Sequence, residues 1–568
     1  MKTASVIGRS LGIVWHSSPR LSTLLGLCVV VRSALPLLVL KTMSTLVDAT
    51  LAAYPALKTS LSGGLREIAW PLTLFGASMF ANYAMRSVTE LLSGELGEKI
   101  RADVAHMTHA QMSRLSYQTM QSPQFQTEAF RAISGSTERP VRIFTSALGL
   151  LQSTLTFCIL GAWMCGVAWW LPLLALTAGA PTLASRIWAS RQSFDLRKSQ
   201  TVGERKLLYY NRVLTNHTFA PEIRLFGISS FFETAFDDVR KRLSTTRMAQ
   251  SRHAARAEVA ASALSTLVML AVFVSVIILL STDGGGSIGQ LAMCLMTVRR
   301  ADTAVNDAAQ RTVGLHNQSL YVRSLIEFLA THENGEGRNK KFPEKFAALN
   351  VRDVTFSYPG SDRQALRGVS FSVRRGEVVG IAGRNGSGKS TLAKMLCGLL
   401  RPDSGSVDVD GVSLSDISTH EISTHVTAVF QDFRVYNAKA ADNIRFGDYV
   451  SAADEGRIRD AARQAGIDDL LASLPDGYST ELGGDFPGSE MFSRGEWQRL
   501  AMARALYSKA EIFILDETAS ALDPSARKIM HETIGRLRAA GKTVILISHS
   551  AETLSLTDRV CQIEQGRL

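Results

Sequence analysis

GRNGSGKST, Gly383 to Thr391, follows directly on the apolar run Val378-Val-Gly-Ile-Ala382 and leads into Leu392-Ala-Lys-Met-Leu-Cys397. A short buried strand, a glycine-rich turn ending in Lys-Ser-Thr and a helical pattern together make a phosphate cradle. Glycine lacks the Cβ that blocks positive φ and close approach of the backbone to an anion. The N–H groups of the turn and of the first helical turn then point at phosphate oxygens, aided by the positive end of the helix dipole. The cradle comprises Gly383, Asn385, Gly386, Ser387, Gly388, Lys389, Ser390 and Thr391. Lys389 is the residue that reaches the β/γ-phosphates, and the Ser390 hydroxyl is a ligand for Mg²⁺. The pattern implies binding of ATP or GTP.

The 568 residues exceed one ordinary domain. Up to about residue 310 the chain holds long uncharged stretches; beyond about 340 it reads as a soluble α/β protein. Residues 143–185 carry no charged side chain, enough for two membrane crossings of about 20 residues each, with a turn near Trp163–Ala168. Residues 259–282 and 68–85 are also uncharged, and 21–47 carries only Arg32 and Lys41. A sixth, shorter candidate is 287–298, after the Gly284-Gly-Gly286 turn. Six spans are expected, the first and last with the least defined ends. The interruption at Arg32 and the missing small-x-small site argue against a cleaved signal peptide. Residues 4–16 read as an amphipathic helix at the membrane surface.

The net charge of +11 raises the question of nucleic acid, and its placement answers it. Fourteen Lys/Arg fall within 186–256 and seven within 86–142, against two in 48–67. Lys/Arg excess marks the cytoplasmic side, so the basic surface reflects topology and anionic lipid rather than nucleic acid. The six cysteines form no CxxC pair, which supports neither a zinc site nor a disulfide framework; they read as small packing residues. The two long basic connections have helix-forming composition and few glycines. Each reads as a helical hairpin with its break at Ser122-Pro123 or Ala220-Pro221, and with a tip able to dock on a soluble domain. A polar linker, residues 333–345, separates a membrane domain (1–332) from a nucleotide-binding domain (346–568).

A second element, Ile512-Phe-Ile-Leu515, is a continuous apolar run as in a strand buried on both faces. It ends in Asp516-Glu517, which places one carboxylate for Mg²⁺ and a second for the attacking water.

In order and spacing these residues resemble the ATP-binding cassette transporters, in the half-transporter form with exporter topology. The resemblance spans essentially the whole chain. It implies that Gln431 contacts Mg²⁺ and senses the γ-phosphate, that His549 is the switch histidine and that Tyr358 stacks on adenine, favouring ATP. It also matches Ser520-Ala-Leu-Asp523 to the loop crossing between paired cassettes, and Phe492-Ser-Arg-Gly-Glu-Trp-Gln-Arg499 to the family signature. There Ser493, Gly495 and Glu496 are nucleotide-contact positions. Glu222-Ile-Arg-Leu-Phe-Gly227 resembles the second hairpin of bacterial peptide and drug exporters. Two departures stand out: Arg494 occupies the place of a signature glycine, and Gly484 that of a glutamate in the loop touching the hairpin tips.

The implied fold is multi-domain: an all-α six-helix transmembrane domain followed by an α/β P-loop NTPase domain. The implied activity is ATP-driven export of a peptide, natural product or drug-like amphiphile across the bacterial inner membrane. A second copy of the chain completes the site, ATP and Mg²⁺ are required, and the nucleotide-binding domain is cytosolic. Rival readings are a lipid or lipid-linked glycan flippase, one half of a heterodimer, a non-transport ATPase and an ATP-gated channel. Arg299, Arg300, Asn306 and Gln310 are candidates to face a cavity; the two arginines equally suit snorkelling to the inner lipid surface.

Overall fold

A computed structural model describes the chain except residues 1–2, 60, 134–137, 283–286, 332–339, 485 and 518–523. Gly284–Gly286, most of the expected linker and the Ser520–Asp523 segment, Asp523 included, therefore lie outside the described residues. The chain divides into two compact units: residues 1–113 with 128–330, and residues 114–127 with 331–568.

Helices build the first unit. They are α1 (Thr3–Ser17), α2 (Pro19–Thr59), α3 (Leu61–Arg114), then two short helices α4 (Tyr117–Gln121) and α5 (Pro123–Ile133), the first of which belongs to the second unit. They continue with α6 (Arg139–Cys165), α7 (Leu171–Thr215), short α8 (Ala220–Leu225), α9 (Ser229–Thr282) and α10 (Ile288–Leu329). The six long helices coincide with the six apolar stretches read from the sequence. Among the described residues, three of them, α2, α6 and α9, hold a window long and apolar enough by composition alone to cross a membrane. At 1.5 Å per residue, 54-residue α3 and α9 are about 80 Å long. That far exceeds a hydrocarbon core of about 30 Å.

The apolar side chains lie on the outside as well as the inside. Trp70 and Phe80 on α3 are 76% and 74% exposed, and Val259 and Leu267 on α9 are 70% and 65% exposed. In water so large a bare surface is a liability; in lipid it is the expected exterior, because helices satisfy their own backbone. Inside, Leu160, Met164, Leu171, Val272, Val276 and Val298 knit α6, α7, α9 and α10 into one core. The amphipathic α1 packs inward: Val6 and Val14 are 1% exposed, in clusters with residues of α6 and α10. Near the far end of α2, Asp48 caps α10, accepting from Ser287 Oγ and Gly289 N, both at 2.9 Å.

The second unit contains two sheets. β1 (Ala348–Ser357), β2 (Gln364–Arg374), β4 (Ser404–Val409) and β5 (Val412–Ser413) pair antiparallel in the order β2-β1-β4-β5. β3 (Val378–Ala382), β6 (Val426–Val429), β7 (Ile512–Asp516), β8 (Thr543–Ile547) and β9 (Arg559–Gln562) form a parallel sheet in the order β6-β7-β8-β3-β9. β7 and β8 are buried at every position, as their unbroken apolar runs require. The helices of this unit are α11 (Lys389–Leu396), α12 (Thr419–His425), α13 (Ala440–Arg445), α14 (Glu455–Gln464), α15 (Asp468–Ser473), α16 (Arg494–Tyr507), α17 (Pro524–Ala539) and α18 (Ala551–Leu554).

Two placements refine the division read from the sequence. Phe342, within the expected linker, is 2% exposed and stacks on His425 at 4.5 Å between ring centroids, so it belongs to the second unit's core. The first hairpin tip is part of that unit too. Tyr117 packs on its core beneath Lys394, and Gln118 Oε1 accepts from Arg401 N at 3.1 Å.

Candidate functional site

β3, β7 and β8 end side by side, and the segments leaving their ends assemble the site. After β3 the turn passes through Gly383, Gly386 and Gly388 at φ of 155°, 76° and 106°. A Cβ on Gly383 would collide with the Ile563 carbonyl, and one on Gly388 would lie 2.6 Å from Ala365 O. Lys389 opens α11 and is 5% exposed. Its Nζ donates to Gly383 O at 2.7 Å and Arg384 O at 3.0 Å, folding the lysine back over the turn. Burial pushes its pKa down, against the opposing pull of the Glu517 and Asp516 carboxylates. Ser387 Oγ is buried without a hydrogen-bond partner, so the cradle holds a polar atom the protein itself does not satisfy. Tyr358, just past β1, donates to or accepts from Thr391 Oγ1 at 3.0 Å and stands edge-on to Phe356.

β7 delivers Asp516, 1% exposed. Burial raises its pKa; a hydrogen bond from Ser390 and the Lys389 charge oppose that rise, while Glu517 adds to it. Its Oδ1 has no hydrogen-bond partner. A buried carboxylate oxygen without a donor, beside a serine hydroxyl, is a donor set suited to a hard cation completed by phosphate oxygens and water. Glu517 sits at φ 51°, a sparsely populated conformation for a side chain of this size. Its N–H is anchored on Ile547 O at 2.9 Å. Gln431 Nε2 donates to Glu517 Oε2 at 2.5 Å, and His549 Nε2 lies 2.8 Å from Oε1. The same Nε2 is 3.2 Å from Lys389 Nζ. One ring nitrogen cannot donate to the carboxylate and accept from the ammonium at once. The carboxylate is the closer and stronger acceptor, and Lys389 already has two carbonyls, so Nε2 carries the proton toward Glu517.

Lys389, Ser390, Gln431, Asp516, Glu517 and His549 are thus brought together, with Tyr358 and Thr391 at the other end of the same turn. Ser493, Gly495 and Glu496 lie elsewhere, at the start of α16. Ser493 is the N-cap, and its backbone N–H donates to Glu496 Oε2 at 2.7 Å in a capping box. Arg494 is exposed there and lines an open cleft of about 600 Å³ that Gln431 also borders. Gly484 has φ 77°, and any Cβ would strike the Met491 sulfur. A glutamate is therefore disfavoured at that position by the backbone itself.

Sequence reasoning passed over Asn443 and Arg504. Fully buried Asn443 donates to Tyr436 O at 3.0 Å and Ala438 O at 3.2 Å, pinning the loop that leaves Gln431. Arg504 reaches Asn443 O and Oδ1, both at 3.0 Å, and covers the Tyr436 ring; burial draws its pKa down. Asn443 stands in no motif, Arg504 lies in the run Leu500–Leu506 that follows the signature without a role of its own there, and their depth in the fold marks both.

Strand, glycine turn, buried lysine and paired carboxylates define a nucleotide-hydrolysing cassette, and the comparisons agree. Residues 366–520 match the ABC transporter family model. The chain is 25% identical to the subtilin transport ATP-binding protein of Bacillus subtilis over 505 residues, 88% of this chain and 81% of that protein. It is 25% identical to the nisin transport ATP-binding protein of Lactococcus lactis over 547 residues, covering 94% and 90%. An ATP-dependent lipid A-core flippase of Pseudomonas fluorescens is 28% identical over 346 residues, 61% and 56% of the two chains. A bacterial Atm1-family ABC exporter structure with ATP bound superposes with a TM-score of 0.72 at 22% identity, covering 94% of each chain, and so shares the fold. Residues 366–520 are thus an ABC transporter ATPase domain, and over most of its length the chain is similar to ABC exporters of the half-transporter form, in which a helical membrane domain is fused to the ATPase domain. The chain is a membrane protein with a cytosolic ATPase that binds ATP and couples its hydrolysis to transport.

Proposed function

We propose that the chain exports a peptide, natural product or drug-like amphiphile across a bacterial inner membrane, working as a homodimer by alternating access. The observation that carries this reading is the gathering of Lys389, Asp516 and the Gln431–Glu517–His549 group at the ends of three parallel strands, while Ser493, Gly495 and Glu496 open α16 without a described contact to that group. Each site then takes its signature, Ser493, Gly495 and Glu496, from the second copy around a two-fold axis. Two relatives named for subtilin and nisin transport favour a peptide cargo.

In this reading Lys389 leaves the Gly383 and Arg384 carbonyls for the β/γ-phosphates, and Tyr358 offers a face to adenine. Gln431, Asp516 and Ser390 hold Mg²⁺, which when bound neutralises charge on the phosphate oxygens. Glu517 accepts the proton of the attacking water, and His549 swings from Glu517 to the γ-phosphate. Closure of paired cassettes on ATP, and their release after hydrolysis, bias the helices between inward and outward arrangements. The membrane domain ends near residue 332 and the linker 333–345 leads into the nucleotide-binding domain, with Phe342 and residues 114–127 joining the latter.

The flippase relative keeps lipid as the second reading. Purified chain in inverted vesicles should accumulate a fluorescent peptide, with ATP and sensitivity to vanadate, faster than it moves fluorescent lipid. Lipid movement alone would replace the first reading by the second. Vanadate-trapped nucleotide that appears only after a second cassette chain is added would replace the homodimer by a heterodimer.

A further inference from the structure

α2 runs for 41 residues, yet it is not held evenly along its length. In its first half Thr156 Oγ1 of α6 donates to Ser33 O at 3.3 Å in a buried bond. Just beyond, Pro36 sits inside the helix. Proline has no N–H for the Arg32 carbonyl and crowds the turn before it, so α2 bends most easily at this point. Past Pro36, α2 joins the buried cluster of α6, α7, α9 and α10 only through half-buried Leu37 and Leu40. Its firmer tie is to α3, through a buried hydrogen bond of 3.0 Å between the Thr42 and Ser78 hydroxyls.

About 18 Å past Pro36, at 1.5 Å per residue, Asp48 meets α10. Oδ1 accepts from Gly289 N and Oδ2 from Ser287 Oγ, both at 2.9 Å. Gly289 is shaped for this contact: a Cβ there would lie 2.5 Å from the carboxylate carbon and from both its oxygens. The carboxylate also faces the positive end of a 42-residue helix. Yet α10 does not need Asp48 as its cap. Ser287 and Gln290 already form a capping box, Gln290 N donating to Ser287 Oγ at 3.0 Å and Ser287 N to Gln290 Oε1 at 3.2 Å. If Asp48 leaves, one N–H and one hydroxyl hydrogen pass to water and the helix keeps its end. The contact therefore joins two helices in a way that water can undo and remake. The connection after it, residues 48–67, carries two Lys/Arg against seven in 86–142 and fourteen in 186–256, which puts this end on the outer side.

We propose that the stretch of α2 beyond Pro36 is a shutter on the outer side of the membrane domain, hinged at Pro36 and latched by Asp48 onto Ser287 and Gly289. The latch holds the outer side shut and breaks before cargo leaves. The inference rests on the alternating-access reading above and names the contact that sets its resting balance.

The test uses the full chain in nanodiscs. Asp48→Ala breaks the latch from α2, and Gly289→Ala breaks it from α10. The reporter is Leu291→Cys, at a half-buried position in the first turn of α10, in a chain whose native cysteines are exchanged for serine. Its rate of reaction with a charged maleimide is measured. Without nucleotide, either latch variant should speed that reaction by about tenfold, the population shift that follows loss of one charge-assisted hydrogen bond. Coupling is reciprocal, so the ATP concentration for half-maximal vanadate trapping, measured with the native cysteines in place, should fall by a similar factor. The double variant should do no more than either single one, and the melting temperature should stay near the native value because the capping box remains. Unchanged labelling and trapping, additive effects of the two substitutions, or faster labelling accompanied by a lowered melting temperature would overturn the latch. A reporter indifferent to ATP and vanadate while Asp48 and Gly289 are intact would instead overturn alternating access itself.

Discussion

His549 Nε2 lies 2.8 Å from Glu517 Oε1, and Gln431 Nε2 holds the other oxygen of the same carboxylate at 2.5 Å. Glu517 is thus gripped on both sides by residues from two other segments, and its φ of 51° is maintained by that grip and by the Ile547 anchor. An acceptor fixed in this way is ready for a proton and has little freedom to wander.

Glu517→Gln keeps the shape of this cluster and removes the base. Turnover should fall by about 10²–10⁴-fold, the range of positioned acid–base catalysis, with ATP still retained. Steady-state phosphate release and equilibrium nucleotide binding check both halves; ordinary turnover would show that the base lies elsewhere.

Lys389→Ala should weaken ATP binding while leaving the apo fold in place. The Gly383 and Arg384 carbonyls that Lys389 Nζ caps lie at the open end of the turn, where water can take its place. Fluorescent-nucleotide titration of the variant against the native chain measures the loss, and unchanged affinity would remove the lysine from the phosphate site.

Asp516 gives a pH-dependent test. Burial raises its pKa, so the native state holds the proton more tightly than the unfolded chain. Stability is then greatest at low pH and falls as pH rises from the unfolded pKa through the higher folded one. Asp516→Asn should raise apo stability near pH 7.5 by an order of about 1 kcal/mol while abolishing Mg²⁺-dependent hydrolysis. The gain should vanish once the native aspartate is protonated. Thermal melts across that pH window decide; a gain of equal size at every pH would contradict the assignment.

Gly388→Ala puts a Cβ 2.6 Å from Ala365 O at φ 106°. The cost should be about 1–3 kcal/mol, read as a lower melting temperature even without nucleotide. Gly386→Ala, at φ 76° with no atom within 4 Å of the new Cβ, should cost less. Equal losses would mean that the turn relaxes more freely than its contacts imply.

Ser493→Ala removes the α16 cap and should cost about 1 kcal/mol. Glu496→Gln, which keeps a capping-box acceptor, should cost less. Denaturant unfolding separates this structural role from any effect on hydrolysis.

Much of this architecture was legible because its signals are local. β3, β7 and β8 announce themselves as unbroken apolar runs, and the turn after β3 needs its glycines wherever the rest of the chain goes. The α6–α7 turn and the break at Ser122-Pro123 fall where the sequence reading puts them, whereas the second break falls at Asn216–Phe219, just before Ala220-Pro221 opens α8. What escaped depends on distance in sequence. The bond from Gln431 to Glu517 crosses 86 residues, and the Asp48 cap on α10 crosses about 240. Nothing near Asp48 distinguishes it from any other carboxylate on a helix. The inward packing of α1 was hidden for a related reason: an amphipathic helix reads the same whether its apolar face meets lipid or protein.

The seating of residues 114–127 within the second unit has a practical corollary. The second unit is built from two separated stretches of polypeptide. A fragment beginning near residue 340 would lack Tyr117 and Gln118, leaving the ring's apolar seat bare and Arg401 N without its acceptor. Such a fragment should be sticky in solution, and a tethered peptide spanning 114–127 should restore its good behaviour.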